Sequence, residues 1–67
     1  MAISGRNKIY GVVTGIEFGD IVSKVVIAYA DGEITAVITT DSVQELCLCP
    51  GDPVYALVKA TDVMIVR

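Results

Sequence analysis

Two basic and three hydroxyl residues are the side chains of this sequence that best suit the binding of a small anion. Arg6 offers a planar fork of donors, and Lys59 offers a compact positive charge among apolar neighbours. Ser4, Thr39 and Ser42 add hydroxyl donors. A tetrahedral dianion needs several short donors converging on its oxygens, ideally with fixed positive charge nearby. These five residues are therefore the candidate set for an oxyanion site.

Each candidate also has an ordinary structural interpretation. Ser42 with Glu45 fits a capping box, and on spacing alone helix capping is its favoured role. Thr39 is a common strand residue, and charges such as Arg6 and Lys59 usually lie in solvent. Thr39 and Ser42 flank the predicted helix start, and Lys59 and Ala60 immediately precede a short terminal turn. Free backbone N–H groups at both places would add neutral donors.

Composition argues against catalysis and against nucleic-acid binding. The sequence has no histidine, which removes the commonest general base and the commonest metal ligand. Its carboxylates fall mostly in predicted turns, where turn formation and solubility are their usual roles. A net charge of −3 does not suit a surface held by phosphate contacts. We predict a binding protein with no enzymatic activity, no nucleic-acid partner and no metal site.

Cys47 and Cys49 are the residues that this interpretation leaves without a role. Free cysteine is among the most often buried residues, so we predict that both are small buried apolar side chains. In a strand their thiols would share one face and could hold a soft metal, whereas in a helix they would not. A zinc site would need ligands from a second chain, because only these two thiols are available.

The spacing of apolar residues predicts an all-β domain with one short helix. In the second strand Ile21, Ser23, Val25, Ile27 and Tyr29 share one face, and both faces are largely apolar. In the helix Val43, Leu46 and Cys47 would face inward. We predict a small OB-like five-stranded barrel. Its strands are expected over 8–18 (with bulges), 21–30, 33–39 and 53–59, its helix over 42–48, and a helical turn over 61–64 before a short last strand.

Length and hydrophobicity predict one domain over residues 1–67 that associates with copies of itself. A core of this length rarely supplies more than about 3–5 kcal/mol by itself. Apolar residues make up 54% of the chain, more than so small a sphere hides, although a soluble monomer is the alternative. No apolar run is long enough to cross a bilayer and no signal-peptide pattern is present, so we expect no membrane partner and a cytoplasmic location.

Several segments in the same order resemble the molbindins, the Mop family of small molybdate-binding proteins. That family's pattern begins Ser-Ala-Arg-Asn and ends in a lysine strand followed by a Val-Met turn. Gly5 stands where the family has alanine, and the segment around Cys47 and Cys49 departs from the pattern. The matching segments are Ser4-Gly5-Arg6-Asn7, Ile38-Thr39-Thr40-Asp41-Ser42-Val43, Asp52-Pro53-Val54-Tyr55-Ala56-Leu57-Val58 and Lys59-Ala60-Thr61-Asp62-Val63-Met64.

The resemblance implies an OB-like fold and a molybdate or tungstate ligand, with no organic cofactor. It implies a homohexamer, built as a trimer of dimers, with the oxyanion between subunits and a second class of site near the symmetry axes. Ser4 and Arg6 would form one wall of the site. The residues Thr39, Ser42, Lys59 and Ala60 would form the other wall, and Gly5, Asn7 and Thr61 are secondary candidates.

The predicted function is storage or buffering of molybdate, or of tungstate, without chemical change. One alternative is an OB-type nucleic-acid module, which would fit the fold but lacks a basic groove and has few stacking aromatics. A second alternative is a ligand-sensing or assembly domain that acts through a partner protein.

Overall fold

A computed structural model describes residues 6–67 of the chain as a curled antiparallel sheet with one short helix. This agrees with the predicted all-β, OB-like fold. The four strands are β1 (Arg6–Glu17), β2 (Val22–Tyr29), β3 (Gly32–Thr39) and β4 (Pro53–Lys59). Helix α1 (Thr40–Glu45) follows β3 directly, and a 3-10 turn (Ala60–Asp62) follows β4.

The strands lie in the order β3-β2-β1-β4, and every neighbouring pair is antiparallel. The first half of β1 pairs with β4 and its second half with β2. Within the half that pairs with β2 the register slips, so that Val13 faces Ile27 while Gly15 faces Val26, and Thr14 is left over as a bulge. A bulge bends a strand and increases its twist. The predicted bent first strand is confirmed, and it curls the sheet into a half-barrel.

Gly11 lies where β1 passes closest to β2. A β-carbon at this position would lie 2.5 Å from the backbone oxygen of Ala28 and 2.6 Å from Cγ2 of Ile27. Gly15, only four residues further along the same strand, has open space around it. Glycine at 11 is therefore required by packing at the bend.

The buried core is small and lies on the concave face of the sheet. Its fully buried apolar side chains are Val13, Val25, Ile27 and Val43. Of the second-strand face that carries Ser23, Val25 and Ile27, these three residues are buried, whereas Ile21 and Tyr29 at its ends are exposed. Helix α1 contributes Val43 alone to this core, so it closes only one end of the half-barrel.

The helix begins earlier than predicted, and its inward stripe is narrower. Thr39 is the N-cap, and its side chain accepts the backbone N–H of Ser42, so the predicted Ser42–Glu45 capping box is wrong. An extended N-cap with a hydroxyl acceptor satisfies a helix N–H two or three residues on, and Thr39 meets this condition one turn earlier than Ser42 does. Leu46 and Cys47 follow the helix and are exposed, so neither joins the core as predicted, although Leu46 lines the concave face.

The chain after β4 differs from the prediction. The expected helical turn is present as the 3-10 turn, but residues 63–67 form no strand. Met64, Ile65 and Val66 are 88–95% exposed. The prediction of a fifth strand fails within this chain because no strand edge of the half-barrel pairs with the segment.

The concave face remains partly open beside the core. An apolar groove of about 260 Å³ runs along it, lined by side chains of all four strands and of the segment after α1. A half-barrel of four strands cannot close on itself, so this face keeps apolar surface that the chain does not cover. We call this feature the open groove; its lining includes Val25, Ile38, Leu46, Leu48, Val54 and Ala56.

We predict that Gly11→Ala lowers the free energy of unfolding by about 1–3 kcal/mol, because the added methyl group overpacks the contact with β2. Gly15→Ala is the matched control and should change stability by less than about 0.5 kcal/mol. Urea unfolding at equal protein concentration measures both. Equal effects of the two substitutions would contradict the close approach at Gly11.

Candidate functional site

The two basic candidates lie opposite each other at one end of the sheet. Arg6 begins β1, Lys59 ends β4, and they are direct cross-strand partners, so their side chains share one face. Both are exposed. Residues 6–67 contain one ion pair, in which Lys24 Nζ lies 3.4 Å from Glu17 Oε2. No carboxylate in this range forms an ion pair with Arg6 or Lys59. The sheet therefore presents two adjacent positive charges without a described counter-charge.

The two hydroxyl candidates form a hydrogen-bonded pair at the start of α1. Thr39 Oγ1 accepts the Ser42 N–H at 3.1 Å and donates to Ser42 Oγ at 2.7 Å. Since Ser42 Oγ accepts in that bond, its own proton is available to another acceptor. The Thr40 N–H is bonded to the Ile21 carbonyl. Of the neutral donors expected here, the Thr40 and Ser42 N–H groups are thus occupied, and the Ser42 hydroxyl is available.

A single chain does not bring the charged pair and the hydroxyl pair together. Arg6 is the first residue of β1, and Lys59 pairs with it. Thr39 pairs with Val22, and this pair lies beyond the last residue of β1. The two pairs are thus at opposite ends of the half-barrel. The resemblance grouped Lys59 with Thr39 and Ser42 in one wall, but within this chain Lys59 lies beside Arg6 instead.

The remaining candidates are less informative. Ser4 and Gly5 lie outside the described residues. Asn7 donates from Nδ2 to the Val58 carbonyl at 3.5 Å, which ties it to β4. Ala60 and Thr61 are exposed in the 3-10 turn, whose N-cap Lys59 makes no side-chain capping bond. Their N–H groups thus lie next to the positive charge of Lys59.

A pair of tyrosines lies on the neighbouring strands β1 and β4. Tyr10 and Tyr55 are cross-strand partners whose rings meet edge to face, with centroids 5.3 Å apart. The Lys8 ammonium lies 5.2 Å from the Tyr55 centroid. Both rings are more than half exposed. An edge-to-face pair is a packed cluster rather than a row of parallel stacking surfaces, so it favours a protein contact over base stacking.

Two further observations concern metal ions and membranes. Within residues 6–67, His, Cys, Asp and Glu side chains nowhere gather in threes in a way that could hold a metal ion. None of the helices in this part of the chain is both long enough and apolar enough to cross a membrane.

Comparison with known proteins identifies the family. A model of the TOBE domain matches residues 3–65, nearly the whole chain. The chain belongs to the TOBE domain family. Molybdenum-pterin-binding protein 1 of Clostridium pasteurianum is 46% identical to it over 66 residues, which are 97% of each chain. The resemblance to the Mop family is thereby confirmed.

Solved structures agree with this assignment of the TOBE domain. A molybdate-binding protein from Sporomusa ovata superposes with a TM-score of 0.94 at 48% identity, and the match covers 100% of both chains. The cytoplasmic molybdate-binding protein ModG, solved with molybdate bound, superposes with a TM-score of 0.84 at 39% identity. That match covers 90% of this chain and 43% of ModG. The relatives with this fold are therefore molybdate-binding proteins.

In this TOBE domain a buried hydroxyl network holds the hydroxyl pair in place. Thr40 Oγ1 donates to the Gly19 carbonyl at 2.7 Å and lies 2.7 Å from Ser23 Oγ, which in turn lies within 3.4 Å of the Gly19 N–H. Ser23 is 2% exposed. The network ties the start of α1 to β2 and to the turn before it, and so fixes Thr39 and Ser42 on either side.

Sequence reasoning missed this network, although a signal for it was present. Ser23 is the polar residue on a face otherwise formed by Val25 and Ile27. A buried hydroxyl needs a hydrogen-bond partner. A serine on a core-facing stripe therefore predicts a buried polar contact, but not which residue supplies it.

We predict that Thr40→Val lowers the free energy of unfolding by about 1–3 kcal/mol, because it keeps the shape of the side chain and leaves buried polar groups unpaired. Thr35→Val is the matched control, since Thr35 is exposed on β3, and should change stability by less than about 0.5 kcal/mol. Thermal and urea unfolding measure both. Indistinguishable stabilities of the two variants would contradict the role of the network.

Proposed function

We propose that this chain binds molybdate, and equally tungstate, between subunits of a homo-oligomer, and that it stores or buffers the oxyanion in the cytoplasm. The proposed ligands are Ser4, Arg6, Thr39, Ser42, Lys59 and the backbone of Ala60. Support comes from the two solved structures named above, which are of molybdate-binding proteins, one of them cytoplasmic, and from the Clostridium relative, which is a molybdenum-pterin-binding protein. Tungstate is included because the two dianions have nearly the same size and shape.

The observation that carries the proposal is the pairing of Arg6 with Lys59. Like charges directly opposite each other on neighbouring strands are destabilising. A dianion beside both would convert this repulsion into two charge-assisted hydrogen bonds. Arg6 suits two oxygens of one anion through its planar fork, and Lys59 supplies a point charge.

The hydroxyl pair would complete the coordination from another subunit. Its available donor is the Ser42 hydroxyl, held by Thr39 and by the network behind it. Because the two pairs lie at opposite ends of one chain, a second copy would have to bring its helix start to the Arg6–Lys59 end. This favours a site shared between chains over one within a chain.

The open groove and the exposed C-terminal segment support self-association. The chain has an apolar face that it does not cover and, in Met64, Ile65 and Val66, an apolar segment that it does not bury. A segment of one copy lying in the groove of another would bury both surfaces at once. The hexameric arrangement, a trimer of dimers, follows from the family resemblance and is part of the proposal.

The proposal is binding without chemical change. The candidate groups are donors and cations, which hold an oxyanion without a base or a nucleophile to act on it. Nucleic acid is not proposed as a partner, because the chain has a net charge of −3 and its exposed tyrosines are packed edge to face. No organic cofactor is proposed.

We predict that Arg6→Ala and Lys59→Ala each weaken molybdate binding by about ten- to a hundredfold. A hydrogen bond to a charged group contributes roughly 1.5–3 kcal/mol, and each 1.4 kcal/mol is about a tenfold change in Kd. Lys24→Ala is the matched control, because Lys24 is an exposed lysine already paired with Glu17. Calorimetric titration with molybdate, tungstate, sulfate and an oligonucleotide measures the affinities. Tight oligonucleotide binding without heat from molybdate would favour the nucleic-acid alternative.

We predict that Ser42→Ala weakens molybdate binding while changing stability by less than about 0.5 kcal/mol. The reason is that Thr39, not Ser42, accepts the helix N–H. Thr39→Ala is the comparison variant and should lower stability by about 1 kcal/mol through loss of the cap. Melting temperature and molybdate affinity together separate the two roles. A loss of stability in Ser42→Ala with unchanged affinity would make Ser42 a structural residue only.

We predict that Ile65→Asp shifts the protein towards the 7.1 kDa monomer and weakens molybdate binding with it, because a charge in an apolar contact is costly. Ile65→Val is the matched control and should leave both properties intact. Analytical ultracentrifugation at micromolar concentration, with and without molybdate, measures the assembly. A stable, well-folded wild-type monomer that binds molybdate would overturn the shared site.

A further inference from the structure

Two exposed thiols flank a single anchored side chain in the segment after α1. Leu48 packs against the core, whereas Cys47 and Cys49 on either side of it are exposed, against the prediction that both are buried. The two thiols are thus both exposed and only two residues apart, one on each side of the anchored Leu48.

Backbone hydrogen bonds hold this segment at both ends. The Cys47 N–H donates to the Gln44 carbonyl and the Leu48 N–H to the Val43 carbonyl, each at 3.1 Å. The Cys49 N–H donates to Asp52 Oδ2 at 2.9 Å, and the Asp52 N–H returns to the Cys49 carbonyl at 3.1 Å. The backbone that carries the two thiols is therefore held in place before any ligand binds.

Cys47 occupies a backbone position that favours glycine. Its φ is +52°, and no other non-glycine residue within residues 6–67 has a positive φ. It directly follows the helix C-cap Leu46, where a left-handed residue commonly ends a helix and is usually glycine. A side chain kept at a strained position is a reason to look for a function of that side chain.

The charge of the segment favours a cation over an oxyanion. Residues 40–52 contain three carboxylates, Asp41, Glu45 and Asp52, and no basic residue. A second anion site like that of Arg6 and Lys59 is therefore not expected here. The available ligands are the two sulfurs, because no third metal-binding side chain among residues 6–67 joins them.

We propose that Cys47 and Cys49 form a two-thiolate site for a soft monovalent cation such as Cu(I). Thiolates select soft ions, and a d¹⁰ monovalent ion is satisfied by two sulfur ligands, whereas structural zinc takes four ligands. On binding, each thiol gives its proton to solvent and each sulfur lone pair forms a bond to the ion. Neither sulfur nor copper changes oxidation state. The site is separate from the proposed oxyanion site and does not depend on it.

The test is anaerobic Cu(I) titration of the full chain in competition with the chelator bathocuproine disulfonate, with stoichiometry from native mass spectrometry. We expect one ion per chain. Cys47→Gly and Cys49→Ser should each weaken Cu(I) binding more than about a hundredfold. Cys47→Gly should also keep or raise the melting temperature, because glycine suits the backbone, so a folding defect cannot explain its loss of binding.

Molybdate affinity is measured on the same variants and should not change, which separates this proposal from the proposed function. Three results would overturn the copper site. They are unchanged Cu(I) affinity in Cys47→Gly, a stoichiometry of one ion per two chains, and Zn(II) binding as tight as Cu(I) binding.

Discussion

The structure depends on one constraint, which is that the four strands within residues 6–67 curl only into a half-barrel and leave the apolar core open on one side. Four strands curl around four buried apolar side chains, and the six-residue helix α1 covers only one end of the half-barrel. The open groove and the exposed apolar C-terminal segment are the direct result. Hydrophobic burial is the dominant favourable term in folding and in most protein association. The apolar surface that one chain leaves uncovered would therefore supply the driving force for the proposed self-association.

The pairing of strands in the curled sheet also determines where the polar groups lie. The first half of β1 pairs with β4 and its second half, which contains the bulge at Thr14, pairs with β2. One end of β1 consequently carries the Arg6–Lys59 pair, and the other end lies beside the start of α1. If the oxyanion is bound between chains as proposed, ligand and assembly are thermodynamically linked, since a ligand that binds only the assembled form stabilises that form.

Neighbouring polar residues at the start of α1 have different hydrogen-bonding roles. Thr40 bonds inward to Ser23 and Gly19, Thr39 caps the helix, and Ser42 keeps a donor for solvent or ligand. At the other end of the helix Cys47, which has a positive φ, and Cys49 are both exposed. The hydroxyl groups and the thiols thus lie at opposite ends of a six-residue helix.

The sequence by itself determined the fold class, the positions of the strands and the bend in β1, because the two-residue period, the glycines and the turn pairs are local signals. It also determined the family. It did not determine that Thr39 rather than Ser42 caps the helix, since each hydroxyl precedes a possible first helical turn by the spacing that capping needs. Only the tertiary structure decided that Arg6 faces Lys59, residues far apart in the chain, and that Ser23 meets Thr40. It also decided that Cys47 and Cys49 lie in solvent and that the last apolar segment finds no strand edge. Each of these depends on register and on the curvature of the whole sheet, which no local pattern encodes.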